Sequence, residues 1–314
     1  MNYCRDLKKI VKGKVAFNEP LSRHTTFRIG GPAKAWVEPA DVEDLKNILK
    51  LISKNKIPFF VIGEGSNLLV RDKGFNGIAL KLNSSFFNDV KINKGYILAG
   101  SGVKIAKLID FARKKSLSGC EFLSGIPGSV GGALVMNAGA RPNSIFNNDY
   151  KSIGELVKEA RVMDAGGRIK ILKRSQLKFG YRSSNLSKYI VLDAKLKLKP
   201  GKRVEIERNV SDFLRYKKDT QDSNWRNAGC VFKNPSIATQ DNFSARSISA
   251  GYLIDSSGLK RYRVGGAVIS GKHANFILNE KNAKAKDVIN LIRFVQKKIK
   301  DKFNINLELE LKIV

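Results

Sequence analysis

The sequence predicts a mixed fold of helices and strands that is not the usual doubly wound nucleotide-binding sheet. Three observations carry this. Amphipathic helical stretches alternate with short apolar runs along all 314 residues. Two glycine-dense loops interrupt them, Gly63-Glu64-Gly65-Ser66-Asn67 and the stretch from Gly125 to Ala140. Neither loop has the Gly-x-Gly-x-x-Gly spacing of the Rossmann fingerprint: Leu68 stands where the third glycine belongs in the first, and the second runs Gly-x-x-Gly-x-x-Gly.

The elements follow in order. Strands are expected near Ala35–Glu38 and Pro58–Ile62. Between them Asp41–Lys56 reads as a helix, capped by Asp41, with Val42, Leu45, Ile48, Leu49 and Ile52 on one face. Strand-like runs at Gly77–Leu82, Val90–Ile92 and Tyr96–Ala99 precede a helix over Val103–Lys115, whose Ile105, Leu108, Ile109 and Ala112 share a face. Ala165-Gly166-Gly167 joins Glu159–Asp164 to Arg168–Leu172 as a hairpin. Tyr189–Leu198 alternates as a strand, and Pro200-Gly201 marks a domain boundary. Helices are expected over Arg203–Lys217, Ser244–Ser256 and Lys284–Lys300, with strands near Val264–Ser270 and Asn275–Asn279. The last strand puts Ile305, Leu307, Leu309 and Leu311 on one face, and Asn306, Glu308, Glu310 and Lys312 on the other.

Composition narrows the function. No apolar run reaches the length of a membrane span, and charges occupy the N-terminal segment where a signal peptide would be apolar, so a cytoplasmic protein without membrane insertion is expected. Cys4, Cys120 and Cys230 form no metal-type spacing, and with only His24 and His273 no metal site is expected. The net charge of +30 alone would point to a polyanion. The cations are scattered, as in Lys46, Lys50, Lys54 and Lys56, and no RNA-binding motif accompanies them. A lysine-rich solvated surface that attracts small anionic ligands is the better reading, with no nucleic-acid partner.

Glycine at such density costs conformational entropy. The compensation is a backbone that approaches a ligand closely and offers its N–H groups to an anion. Two such loops imply a large cofactor with a pyrophosphate; two sets of tight turns are the plainer alternative.

Further motifs extend the pattern: Thr26-Phe27-Arg28-Ile29-Gly30-Gly31, Phe179-Gly180-Tyr181-Arg182-Ser183-Ser184, Asn227-Ala228-Gly229-Cys230-Val231-Phe232-Lys233-Asn234-Pro235, Gly265-Gly266-Ala267 and Lys272-His273-Ala274-Asn275-Phe276. With the two glycine loops, their order and spacing resemble the UDP-N-acetylenolpyruvoylglucosamine reductases, from about Leu21 to the C-terminus. The resemblance implies an α+β fold with a vanillyl-alcohol-oxidase-type FAD-binding domain and a smaller α/β substrate-binding domain. It divides the chain into an extension over 1–20, an FAD-binding region over 21–200, and a substrate domain over 201–314 whose last strand enters the active site. The strand expected at Tyr189 follows the Tyr-Arg motif closely, which matches the subclass without an inserted tyrosine loop.

The resemblance also implies residues. FAD is held by Gly63, Glu64, Gly65, Ser66, Asn67, Gly125, Pro127, Gly128, Ser129, Gly131, Gly132, Asn137, Ala138 and Gly139. NADPH reduces the flavin, and hydride then reaches the enolpyruvyl double bond of a UDP-sugar. Charge on the carboxylate side needs a fixed cation, and Arg182 matches the catalytic arginine. C2 then needs a positioned acid. Cys230 stands where the family usually has serine; an unperturbed thiol, with a pKa of about 8.5, is protonated at neutral pH. Glu310, in Leu307-Glu308-Leu309-Glu310, matches the family glutamate, with Glu308 as the spare. Tyr181, Lys233, Asn234, Tyr252 and His273 are the candidate substrate contacts, and the protein is expected to be a monomer. One departure is local: Gln221 is followed by Asp222 where the family commonly has proline. The competing readings are a flavin oxidase on the same scaffold, whose tether would have to be Cys120, and a nucleic-acid-binding protein favoured by charge alone.

Overall fold

The computed structural model describes residues 3–140, 150–222, 225–235 and 249–314. The chain divides into two compact units: Met1–Glu19, Ala33–Glu64 and Asn76–Lys217 form the first, and Pro20–Pro32, Gly65–Phe75 and Lys218–Val314 the second.

The first unit's two larger sheets each pack on buried hydrophobic residues. In the four-stranded sheet the order is Lys14–Pro20, Pro32–Glu38, Phe75–Leu80, Phe59–Val61, with the last two parallel. Helices Tyr3–Ile10 and Val42–Lys54 share its core through Tyr3, Leu7, Leu45, Ile48, Leu49 and Ile52. The five-stranded sheet runs Ile169–Lys173, Val157–Met163, Ile190–Leu196, Tyr96–Gly100, Val90–Asn93, and every pairing is antiparallel. That sheet packs on helix Ile105–Lys114 through Ile105, Leu108, Ile109 and Ala112, the face read from the spacing. Antiparallel pairing separates this architecture from a doubly wound sheet.

In the second unit helix Ala285–Phe303 buries Val288, Leu291, Ile292, Val295 and Ile299 in a core with Phe27, Ile29, Leu69 and Phe232. A small antiparallel sheet of Arg263–Val264, Ala267–Ile269 and Ile277–Asn279 joins it. Lys312–Ile313 pairs in parallel with Leu68–Leu69.

Several expectations shift. Pro200-Gly201 is not a boundary: Lys199–Pro200 pairs with Leu117–Ser118, and the Gly201 N–H donates to the Ser116 carbonyl at 2.9 Å. Helix Arg203–Thr220 follows, with Ile206 buried and Val210 and Phe213 packed on the first unit's core, so that unit extends to Lys217. Residues 3–19 are not an appendage, because Tyr3 and Leu7 are core residues. The helix expected over 244–256 is observed as Ala250–Ser256; 244–248 lie outside the described residues. The final alternation holds, with Leu307 and Leu311 buried, yet only Lys312–Ile313 is a regular strand. The N–H groups of Glu310 and Leu311 both turn to the Val231 carbonyl, at 2.9 and 3.2 Å, which breaks a ladder.

Asp41 caps helix Val42–Lys54 by accepting the Asp44 N–H at 2.8 Å. Asp44 itself is fully buried and accepts the N–H groups of Lys12 (3.1 Å), Gly13 (3.0 Å) and Ala40 (2.8 Å). Asp44→Ala strands three donors and is expected to cost about 3 kcal/mol of stability, measured by denaturant unfolding. A loss below about 1 kcal/mol would show that water replaces the carboxylate at little cost.

Candidate functional site

In the first unit, strand Phe59–Val61 delivers the chain to Ile62, whose N–H donates to Leu80 at 2.8 Å, and then to Gly63 and Glu64. The second loop ends in the short helix Val130–Val135, capped by Ser129, whose Oγ accepts the Gly132 N–H at 3.4 Å. These two motifs meet. A Cβ on Gly63 would lie 2.6 Å from Ser129 Oγ, so glycine lets the two loops approach closely there. Glycines of the second loop are likewise backed by protein: the Gly131 position faces Ser101 and Gly139 faces the Lys151 carbonyl. Part of the glycine density therefore serves packing.

The polar inventory beside the second loop fits a large polar cofactor. Ser101 Oγ, Ser124 Oγ and Glu121 Oε1 are buried without a hydrogen-bond partner among the described residues. Ser101 is tied to the loop, its carbonyl accepting the Gly131 N–H at 2.8 Å. A buried hydroxyl or carboxylate oxygen in that condition is costly unless a ligand or water completes it. FAD carries both donors and acceptors, and these three unpartnered atoms beside the glycine loop meet its chemistry. None of the three was singled out from the sequence, although Gly100-Ser101-Gly102 is a glycine-flanked serine that offered a signal.

Arg182 also lies in the first unit. It sits with Tyr181 at the tip of a two-residue hairpin between Phe179–Gly180 and Ser183–Ser184. Its φ of 51° is the left-handed region, unusual for a non-glycine residue. The guanidinium donates to the Gly139 carbonyl at 3.1 Å and to the Tyr150 hydroxyl at 2.8 Å, and it lies over the rings of Tyr150 and Tyr181. Buried Asn137 ties this tip to the glycine loop, donating to the Gly180 carbonyl at 2.9 Å and accepting the Gly154 N–H at 3.0 Å. Sequence reasoning missed Tyr150, which no motif marks.

The second unit brings Cys230 and Glu310 together through main-chain bonds. Segment 230–233 lies between two others. On one side Cys230 bridges Phe276, and the Asn275 side chain grips Phe232 at both its N–H (2.9 Å) and carbonyl (2.8 Å). On the other, Phe232 bridges Leu309, the Glu310 N–H donates to Val231, and the Lys233 N–H donates to Glu308 at 2.9 Å. Asn67 of the first glycine motif reaches here too, donating from Nδ2 to the Glu310 carbonyl at 3.0 Å. Gly65 is fixed nearby in sequence by the Thr26 N–H on its carbonyl, at 3.3 Å, and Ser66 lies between them. Glu310 is half-buried, whereas Glu308 is exposed and pairs with Lys233 at 3.1 Å. The two carboxylates of the last segment are thus in different surroundings.

The candidate substrate contacts divide. Asn234 Oδ1 accepts the Ala250 N–H at 3.0 Å, holding the start of helix Ala250–Ser256. Tyr252, on that helix, is 62% exposed. His273 Nδ1 accepts the Asn275 N–H at 3.3 Å, and burial lowers its pKa, so the imidazole is neutral with Nε2–H as a donor. Asp222, the departure noted in the sequence, accepts the Ser270 hydroxyl, while Ser270 Oγ accepts the N–H groups of Lys272 and His273 at 3.0 and 2.8 Å. The altered residue thus anchors the His273 turn.

Cys120 is buried, and burial together with the Glu121 charge pushes its thiol up to about 12. A thiol so held from ionising is a poor nucleophile, which disfavours the tethered-flavin oxidase. Among the described residues no helix is long and apolar enough to cross a membrane, and no cluster of metal-binding side chains occurs.

Comparison with known proteins places the chain in a family. Residues 33–173 match an FAD-binding domain family, and residues 220–314 match the C-terminal domain of UDP-N-acetylenolpyruvoylglucosamine reductase. A curated UDP-N-acetylenolpyruvoylglucosamine reductase of Clostridium botulinum (strain 657 / Type Ba4) is 38% identical over 316 residues, covering 100% of this chain and 97% of the relative. That of Bacillus pumilus (strain SAFR-032) is 40% identical, covering 100% and 98%. The crystal structure of the reductase from Thermus caldophilus superposes with a TM-score of 0.75 at 34% identity, covering 96% of this chain and 98% of that one. With identity at this level running from end to end, the chain belongs to the UDP-N-acetylenolpyruvoylglucosamine reductase family.

Proposed function

We propose that this protein reduces UDP-N-acetyl-3-O-(1-carboxyvinyl)-glucosamine to UDP-N-acetylmuramate in peptidoglycan precursor synthesis. The observation that carries the reading is the meeting of Gly63 with Ser129, on top of family membership across the whole chain. FAD, when bound, would supply the redox chemistry, a relay of hydride from NADPH to C3 of the enol ether. The remaining work belongs to side chains. Main-chain amides of 63–67 and 125–132, with Asn137, Ala138 and Gly139, hold the dinucleotide. Arg182 binds the substrate carboxylate, where charge grows as hydride arrives, and its planar fork matches two oxygens. Cys230 donates its S–H proton to C2, and Glu310 polarises that acid and returns a proton to it. Tyr181, Lys233, Asn234, Tyr252 and His273 bind the UDP-sugar. The enzyme works as a cytoplasmic monomer, without a nucleic-acid or membrane partner.

The test is spectroscopic. The purified protein is expected to be yellow, to bleach with NADPH under anaerobic conditions, and to recover its colour when the enolpyruvyl UDP-sugar is added. Recovery with oxygen but not with the sugar would instead establish an oxidase, and a protein with no flavin after denaturation would end both readings.

A further inference from the structure

Beyond the assigned residues, the first unit carries an ion-pair cluster that joins its two glycine motifs. Glu64, directly after Gly63, takes Lys81 on one carboxylate oxygen at 3.1 Å and Lys104 on the other at 3.5 Å. The Lys81 side chain is 17% exposed, while that of Lys104 is 66% exposed. Lys81 therefore pins Glu64 from within, and Lys104 is an outer arm.

Lys104 is rooted in the other motif. Its main chain faces Ser129 in an antiparallel bridge, the Ile105 N–H donates to the Gly128 carbonyl at 2.9 Å, and the Val130 N–H donates to Val103 at 2.8 Å. The backbone of Lys104 thus moves with the second loop, and its ammonium holds the first. Both ends of this connection flank the Gly63–Ser129 contact. The cluster has two ammonium groups for one carboxylate, which leaves a positive charge where a pyrophosphate is expected. No sequence motif contains Lys104, because its partner lies forty residues away in the chain.

We propose that Lys104 is a positioning residue whose pair with Glu64 acts as a latch, fastening the two loops around the pyrophosphate of the bound dinucleotide and slowing its escape. This rests on the FAD reading above. Because Lys104 is largely in water, the latch is weak and sensitive to salt.

The experiment measures the rate of FAD release from the holoenzyme, by the rise in flavin fluorescence after dilution. Lys104→Met is expected to speed release about three- to fivefold at low salt, the range of an exposed pair. The difference should vanish near 1 M sodium chloride, and Lys104→Arg should release FAD at the native rate. Adding Lys104→Met to Glu64→Gln should change nothing further, since the pair is already broken. Unchanged release by Lys104→Met, or effects that multiply in the double variant, overturns the latch and leaves the cofactor reading intact. A native protein that binds no FAD overturns both.

Discussion

Cys230→Ala is expected to leave flavin reduction by NADPH untouched and to slow reoxidation by the enolpyruvyl sugar by roughly 10² to 10⁴-fold, the usual range for removing a positioned acid. The proposed role of the thiol begins only after hydride has reached C3, so the first half-reaction does not use it. Position matters as much as acidity. Segment 230–233 is held from both sides, by Asn275 on Phe232 and by the 308–310 main chain on Val231 and Lys233. A small residue at 230 disturbs none of those bonds, because they belong to neighbouring main-chain groups. Cys230→Ser keeps an O–H donor at the same place and should recover much of the rate. Stopped-flow absorbance at the flavin band separates the two half-reactions. If the alanine variant reoxidises at the native rate, another group protonates C2; if it fails to bleach with NADPH, the damage lies in the fold or the cofactor.

Much of this architecture was legible because local chemistry announced it. Asp41 before an apolar face gave the first long helix its start, and Ala165-Gly166-Gly167 gave the hairpin. The alternation of Leu307, Leu309 and Leu311 gave the buried side of the last segment without revealing that its hydrogen bonds are irregular. What stayed hidden depends on partners distant in sequence. Residues 20–32 and 65–75 pack with the C-terminal part, through contacts such as Asn67 to Glu310 that span 243 positions. Thr26 likewise donates from Oγ1 to the Asn227 carbonyl at 2.6 Å, across 201 positions. A periodic pattern reports which face of an element is buried, never what it is buried against. For the same reason Pro200-Gly201 read as a boundary when Lys199–Pro200 is a short strand paired with Leu117–Ser118. The site shows the same division. The glycine loops stand out by composition, and Cys230 and Glu310 become candidates by motif, whereas Ser101, Tyr150 and Lys104 enter only through the neighbours the fold gives them.

Arg182→Gly is expected to separate stability from activity. Arg182 holds a φ of 51° at the hairpin tip, and a left-handed conformation costs an L-residue about 1–2 kcal/mol that glycine does not incur. Against this relief stands the loss of the guanidinium bonds to Gly139 and Tyr150 and of its contacts with two rings. A typical hydrogen bond from a charged group contributes about 1.5–3 kcal/mol, and partial exposure reduces that. Two such bonds outweigh that relief by a modest margin, so the unfolding free energy should fall by about 1–3 kcal/mol. Activity has no such compensation. Without the fork, charge on the substrate carboxylate loses its fixed cation, and reoxidation by the enolpyruvyl sugar should fall about 10² to 10³-fold, as when one preorganised donor is removed. Arg182→Lys keeps the charge and the backbone cost but not the bidentate geometry, and should fall between the two. Denaturant unfolding and single-turnover reoxidation, measured on the same preparations, decide the matter. If both quantities collapse together, Arg182 is a structural pin of the hairpin. If stability holds while reoxidation falls, the strained backbone is the cost of presenting a guanidinium at the one position where Asn137 and the glycine loop fix it.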